Sequence, residues 1–315
     1  MAAKGGTKAV VAALLGNLTI AAFKYFAAWV SGSSSMLAEG HHSLADTANQ
    51  VLLLVGIHRS RGGDSARHPF GMGKAQFFWA FVVALVLFGV AGGLSIKGGV
   101  VKVLDPRPLD DLTWSYLAIA VGAFLDGLAL RTAYRALRER MAADGETSLA
   151  RGFRDCTDAS VITVLLEDAL ALFGLVIAAV AITVAKATGW WALDGWASIL
   201  IGVMLMVFAL VLALELKSLL LGEGLPGRTV ERIRQAVVAD PRVRSVADVR
   251  TLVLGADEAL VAVDVVFEPD TTVAELEGVV DRIEARIRGV VPGARCYIEA
   301  EGLKVPLQAG VARPS

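Results

Sequence analysis

Six apolar stretches, each long enough to cross a bilayer, limit what this chain can fold into. A hydrocarbon core roughly 30 Å thick takes about 20 helical residues. The sequence offers such runs at about 8–30, 36–57, 76–100, 112–134, 159–184 and 193–216. Of the 315 residues 55% are hydrophobic, and a mean hydropathy of +0.60 is too high for an ordinary soluble domain. The segment MAAKGGTK leads straight into the first run with no A-x-A cleavage signal, so the reading is a retained span, not a signal peptide. A formal net charge of −1 speaks against a nucleic-acid partner. The two cysteines, Cys156 and Cys296, form no CxxC, which excludes a disulfide framework or a structural zinc knuckle.

Past Lys217 the character changes. After a linker at 217–226, LPGRTVERIRQAVVAD reads as an amphipathic helix, and VADVRTLVL and EALVAVDVVF read as strands with a turn at Gly255 to Asp257. Thr272 and Glu275 make a capping box for the helix VAELEGVVDRIEARI, and ARCYIEAE is a third strand. The fold class is therefore an all-α six-helix transmembrane bundle (1–216) followed by a small αββαβ, ferredoxin-like domain (227–302), with 303–315 as a tail. Orientation follows the Lys/Arg bias of the short loops. Arg59, Arg61, Arg67 and Lys74 follow span two, and Arg135, Arg138, Arg140, Arg151 and Arg154 follow span four. Both termini are expected in the cytoplasm. A bacterial cell membrane is the expected location, as no transit peptide is recognised.

Away from the run ends, five acidic residues fall inside the apolar runs: Glu39, Asp46, Asp126, Glu167 and Asp168. At roughly 2.5–3.5 kcal/mol for a mid-membrane carboxylate, the total is on the order of 10 kcal/mol, and something must compensate it. At 100° per residue Glu39, His42, Asp46, Asn49 and Gln50 share one stripe of the second helix, while His41 points elsewhere. His42 and Asp46 are an i, i+4 pair, able to supply half of a tetrahedral metal site. At 1.5 Å per residue Asp46 lies about 15 Å into span two, and Asp168 about 14 Å into span five from the other face. Two antiparallel helices thus bring their acids to one level. For Asp126 a structural role is favoured: a pairing with Lys24, the only cation deep in span one.

These residues carry a resemblance. Six spans, HxxxD in span two, HPFGMGKAQ in the loop, LDGWASILIG opening span six and a small soluble domain resemble the cation diffusion facilitators, which include the SLC30-type zinc transporters. The span-five LLED is similar to the subgroup of zinc transporter 9. The resemblance implies a divalent cation held between spans two and five and exchanged for protons. The span-two ligands map onto His42 and Asp46. The last member of the span-five motif maps onto Asp168, but the position four earlier is Val164. Glu167 is the candidate to replace the missing ligand. It lies 100° around the helix from Asp168, so both bind only if the helix turns or bulges; water, Asn49 or Glu39 are the alternatives.

Secondary sites of the family are reduced here. In the first cytoplasmic loop His68 remains, with Met72 and Ser65 at the other ligand positions; Asp64 with His68 makes two ligands at best, and a structural His68 is favoured. The soluble domain has no histidine; Asp264, Glu299 and Glu301 stand near the family's ligand positions and Ala247 replaces one. Their carboxylates on neighbouring strand ends read as a solvated edge before a weak cation site. By resemblance Lys74 interlocks with Glu223.

A mixed nitrogen and oxygen shell suits zinc, with manganese, cobalt, nickel or iron as alternatives. Metal and protons compete for the same groups, so a bundle opening to one side at a time gives antiport that exports metal from the cytoplasm. The glycines of GVAGGLSIKGG allow close helix approach, and the resemblance implies a homodimer. A rival reading is a sensor or scaffold that uses the fold without transport. An intramembrane metalloenzyme lacks HExxH and any Ser or Cys near a plausible base, so the chain is not read as an enzyme.

Overall fold

The computed structural model describes residues 3–60, 65–85, 89–143, 159–255 and 258–301. Seven helices come first: α1 (Ala3–Ser31), α2 (Ser34–Ser60), α3 (Ala75–Val83), α4 (Gly89–Leu104), α5 (Thr113–Ala143), α6 (Ala159–Thr188) and α7 (Ala192–Leu221). The run expected as span three contributes two helical pieces, α3 and α4, with residues 86–88 between them outside the described set. Among the described residues three helices are long and apolar enough to cross a membrane: Thr113–Arg135, Leu165–Thr188 and Ala192–Leu221. These are the expected spans four to six. The α2 helix spends its middle on GHHSLADTANQ, and its apolar character is diluted accordingly.

The helices meet where side chains are small. A Cβ on Gly92 of α4 would lie 2.8 Å from Gly202 O of α7, and one on Gly195 of α7 would lie 2.7 Å from Gly99 O. Between these contacts Ser198 Oγ donates to Ser95 O at 2.8 Å. The close approach anticipated from GVAGGLSIKGG is thus made by α4 against α7, backbone to backbone. Helix α1 ends at Gly32, whose φ of +66° and N–H bond to Ala28 O at 2.9 Å form a left-handed cap. That turn reverses the chain directly into α2.

The chain divides into two compact units, residues 1–58 with 76–217, and residues 59–75 with 218–315. The second contains α8 (Gly227–Val238), β1 (Val243–Val253), β2 (Ala259–Phe267), α9 (Val273–Val290) and β3 (Ala294–Ala300). The sheet order is β1-β2-β3, antiparallel then parallel. This is the αββαβ order read from the sequence; of the turn proposed at Gly255 to Asp257, residues 256–257 lie outside the described set. Alternation in β2 buries Val261, Val263 and Val265, which meet Ile233 and Val237 of α8 and Ile283 and Ile287 of α9. Thr272 caps α9 as expected: its Oγ1 accepts from Glu275 N at 3.3 Å, and its N–H donates to Glu275 Oε2 at 3.0 Å.

Within this unit the loop before α3 packs on the small domain, with Phe70 edge-on to Tyr297 at 6.4 Å between ring centroids. The interlock expected between Lys74 and Glu223 takes another form. Lys74 Nζ lies 3.4 Å from Leu220 O, while Glu223 is exposed. The physical reason is the end of α7: its last carbonyls have no helical partner, and a nearby ammonium satisfies one of them.

Candidate functional site

The first unit holds a cavity of about 610 Å³ lined from α1, α2, α5 and α6. Four of its lining residues are carboxylic acids: Asp46 from α2, Asp126 from α5, and Glu167 and Asp168 from α6. Asn49 and Gln50 also line it, from the polar stripe of α2. Asp46 and Glu167 lie within hydrogen-bond reach of each other, and Asn49 Nδ2 donates to Glu167 Oε1 at 3.5 Å. Antiparallel α2 and α6 therefore place their acids at one level, as helix rise requires.

Adjacent Glu167 and Asp168 both reach the cavity although α6 is unbroken from Ala159 to Thr188. No bulge is needed: the cavity is wide enough to meet two neighbouring directions of one helix. Val164 occupies the turn before Asp168, and its side chain is outside the described set.

His42 is placed differently from its three expected companions. It is 3% exposed and its Nε2 lies 3.4 Å from Asp46 Oδ2, so the i, i+4 contact forms. Its ring lines a separate small pocket with Leu170, Gly174 and Leu205 and does not line the large cavity. Among the described residues no three His, Cys, Asp or Glu side chains are gathered tightly enough to grip one metal ion. His42 reaches the acid cavity through Asp46.

Lys24 pairs with Glu39 and not with Asp126. The Nζ–Oε2 distance is 3.0 Å and both side chains are fully buried. Glu39, an alternative fourth ligand in the sequence, is thereby committed to a salt bridge. Asp126 is left facing the cavity, where sequence reasoning favoured a structural role. A signal was available: with the hairpin turn at Gly32, Lys24 precedes it by 8 residues and Glu39 follows it by 7, so antiparallel packing brings them level.

Several carboxylate oxygens here have no hydrogen-bond partner among the described residues. Asp46 Oδ1, Asp126 Oδ2 and Asp168 Oδ2 are buried atoms without a hydrogen-bond partner among the described residues, as is Gln50 Oε1. A buried carboxylate oxygen left so is costly, and a cluster of them suits a cation or protons as occupant. The donor set, mostly oxygen with one nearby imidazole, suits a borderline divalent cation carried as substrate.

Among the described residues the secondary candidates gather into no three-ligand cluster. Asp64 lies outside the described residues. His68 is exposed, and its backbone N–H bonds to Ser65 O at 3.0 Å and Ser65 Oγ at 3.1 Å. In the small domain Asp264 stands mid-strand, not at a strand end, directly between Asp248 and Glu299 in register. Arg250, bonded to Asp248 at 2.8 Å, supplies the positive charge beside that row. Glu301 follows β3, with its N–H on Val265 O at 2.9 Å.

Sequence reasoning passed over Asp194 at the start of α7. It is fully buried, and its carboxylate accepts from Ser33, Ser34 and Ser35. The run Ser33-Ser34-Ser35 before a polar helix was the available signal for a buried anion there.

Long apolar helices beside an acid-lined cavity, with a small α/β unit after them, define an integral membrane protein with an acidic site within its helices. Residues 10–221 match the cation efflux transmembrane domain, and residues 225–302 match the cytoplasmic domain of cation efflux proteins. The chain belongs to the cation efflux family. The mitochondrial proton-coupled zinc antiporter SLC30A9 of Mus musculus is 31% identical over 265 residues, 84% of this chain and 47% of that protein. The Homo sapiens protein of the same name is 31% identical over 265 residues, covering 46% of its length. This chain thus spans about half the length of those relatives. The cation-efflux pump FieF of Shewanella oneidensis is 25% identical over 288 residues, 91% of each chain.

Proposed function

We propose that this protein is a metal/proton antiporter that exports a divalent cation, zinc before manganese, cobalt, nickel or iron, from the cytoplasm. The observation that carries the reading is the convergence of Asp46, Asp126, Glu167 and Asp168 from three helices on one cavity with unpartnered carboxylate oxygens. The names of the zinc antiporter relatives support the choice of cation and counter-ion.

The chemistry follows from charge. Two carboxylates as close as Asp46 and Glu167 need a proton or a cation between them. Protons and a divalent cation therefore compete for one set of groups, and binding one releases the other. His42 and Asp46 act from α2, Glu167 and Asp168 from α6; in this reading a relative shift of the two helices draws His42 and Asp168 onto one ion. Alternating access of a six-span bundle turns that competition into exchange across the membrane. The Lys/Arg bias of the short loops favours cytoplasmic termini in a cell membrane, and the match to the cytoplasmic domain supports a homodimer joined through the small domain.

Reconstitution into proteoliposomes tests the reading. Zn²⁺ uptake driven by an imposed pH gradient is the expected result, compared across Mn²⁺, Co²⁺, Ni²⁺ and Fe²⁺. A second reading, a membrane sensor or scaffold without transport, draws on Val164 at the usual ligand position and on the lack of a three-ligand cluster among the described residues. Flux no greater than in empty vesicles would favour it.

A further inference from the structure

Lys24 and Glu39 form an ion pair that water does not reach, with side chains 1% and 0% exposed and 3.0 Å between Nζ and Oε2. Desolvating two charges often costs more than their attraction returns, and apolar side chains of similar volume would pack as well or better. The neighbouring helix α6 nevertheless makes room for the pair. Gly174 stands where any side chain would collide with Glu39 Oε1. Glu39 lies one turn before His42. A Cβ on Gly122 of α5 would lie 3.4 Å from Lys24 Cε, and Gly122 stands one turn before Asp126, which lines the cavity together with Asp46.

We propose that the Lys24–Glu39 pair sets the charge of the cation cavity: Lys24 cancels the fifth intramembrane carboxylate, so that the ion meets the field of four. The inference rests on the cavity being a divalent-cation site. Neither residue touches the ion; both are positioning residues that act through the field at Asp46 and Asp126. Without the ammonium, the negative charge of Glu39 adds to the cavity, binding tightens and release slows. Without the carboxylate, the ammonium turns on Asp126 and Asp46 and repels the cation. With both gone, the field returns near its starting value.

The test is titration of the full-length protein in detergent with Zn²⁺ alone, alongside proteoliposome uptake. Lys24→Met is expected to lower Kd and KM and to slow kcat, and Glu39→Gln to raise Kd and KM. Each shift should be at least roughly fivefold, since a unit charge inside a bundle of effective dielectric near 20 is felt over several ångströms. Lys24→Met/Glu39→Gln should return Kd to within about threefold of wild type, a double-mutant cycle with opposed single effects. Lys24→Met strands a buried carboxylate and can fail to fold. Glu39→Gln leaves Lys24 with Asp126 in reach, so its direction together with the double variant then decides. Single shifts in the same direction, or an unchanged Glu39→Gln, overturn the proposal. A double variant that no longer binds also overturns it, by making Glu39 a ligand. A wild type that binds no metal overturns the functional reading and this inference with it; a wild type that binds while the cycle fails overturns this inference alone.

Discussion

Ser34 donates its backbone N–H to Asp194 Oδ2 at 2.6 Å, so a carboxylate from the start of α7 closes the N-terminus of α2. The same carboxylate accepts from Ser33 Oγ at 2.7 Å, Ser34 Oγ at 2.9 Å, Ser35 Oγ at 2.5 Å and Ser35 N at 3.2 Å. An anion at a helix N-terminus meets both the orphan N–H groups and the positive end of the dipole. Asp194→Ala leaves these buried donors without an acceptor, at a cost on the order of 3 kcal/mol. Thermal unfolding of the full chain in detergent is expected to shift down accordingly. Asp105→Asn, which breaks an exposed pair with Arg107, should leave it unchanged.

Gly174 yields a contrast of the same kind inside the bundle. A methyl group there would drive into Glu39 Oε1, whereas one on Gly127 of α5 meets no atom within 4 Å. Gly174→Ala should destabilise by about 1–3 kcal/mol through overpacking. Gly127→Ala should be neutral or stabilising by about 0.5–1 kcal/mol, since it removes a mid-helix glycine. The two midpoints in one denaturant series check the pair.

What the sequence made legible was whatever follows from period and rise. The polar stripe of α2, the shared depth of Asp46 and the α6 acids, the capping box at Thr272 and the strand alternation around Val263 all come from local geometry. The rest depended on which neighbour a side chain selects. Lys24 had acids on two helices to choose from, and only the hairpin at Gly32 places Glu39 beside it. Glu167 lies 100° around the helix from Asp168, an obstacle to sharing one ligand point but not to lining a broad cavity. Asp194 stood unremarked inside LDGWASILIG at the opening of span six, since its serine partners lie about 160 residues away in sequence. Lys74 found a helix-end carbonyl in place of a carboxylate, an acceptor that composition does not reveal.

The cavity acids should separate by role in transport. Asp46→Asn and Asp168→Asn each remove one carboxylate from the cavity lining, on α2 and on α6. Each should weaken apparent Zn²⁺ affinity at least about tenfold, equivalent to about 1.4 kcal/mol. Glu167→Gln keeps the bond from Asn49 and should fall between these and wild type. Competition of Zn²⁺ against a fluorescent chelator on the purified protein measures all three. Normal transport by Asp46→Ala/Asp168→Ala would remove the site while leaving the fold untouched.

The small domain carries an acid-sensitive fastening of its own. Asp240, buried just after α8, accepts from Arg282 Nε at 2.9 Å, Arg282 Nη2 at 3.3 Å and Arg242 N at 3.1 Å. Hydrogen bonds from Arg282, joined by the Arg242 N–H, hold its carboxyl below the ordinary value despite burial. Glu275 is likewise held low, first by the Thr272 backbone N–H that closes the capping box. A carboxylate with a depressed folded-state pKa contributes stability that is present above its unfolded value, near 4, and is lost as pH falls through the folded value. The domain should therefore hold steady from neutral pH to about 5 and loosen only below about 4. Hydrogen exchange of the full chain, read on peptides from 227–301, checks this. In Asp240→Asn the amide keeps the shape but carries no charge for acid to remove. Protection in α8 and α9 should then be lower at neutral pH and change less on acidification. An acid response as steep as that of the wild type would assign the sensitivity elsewhere.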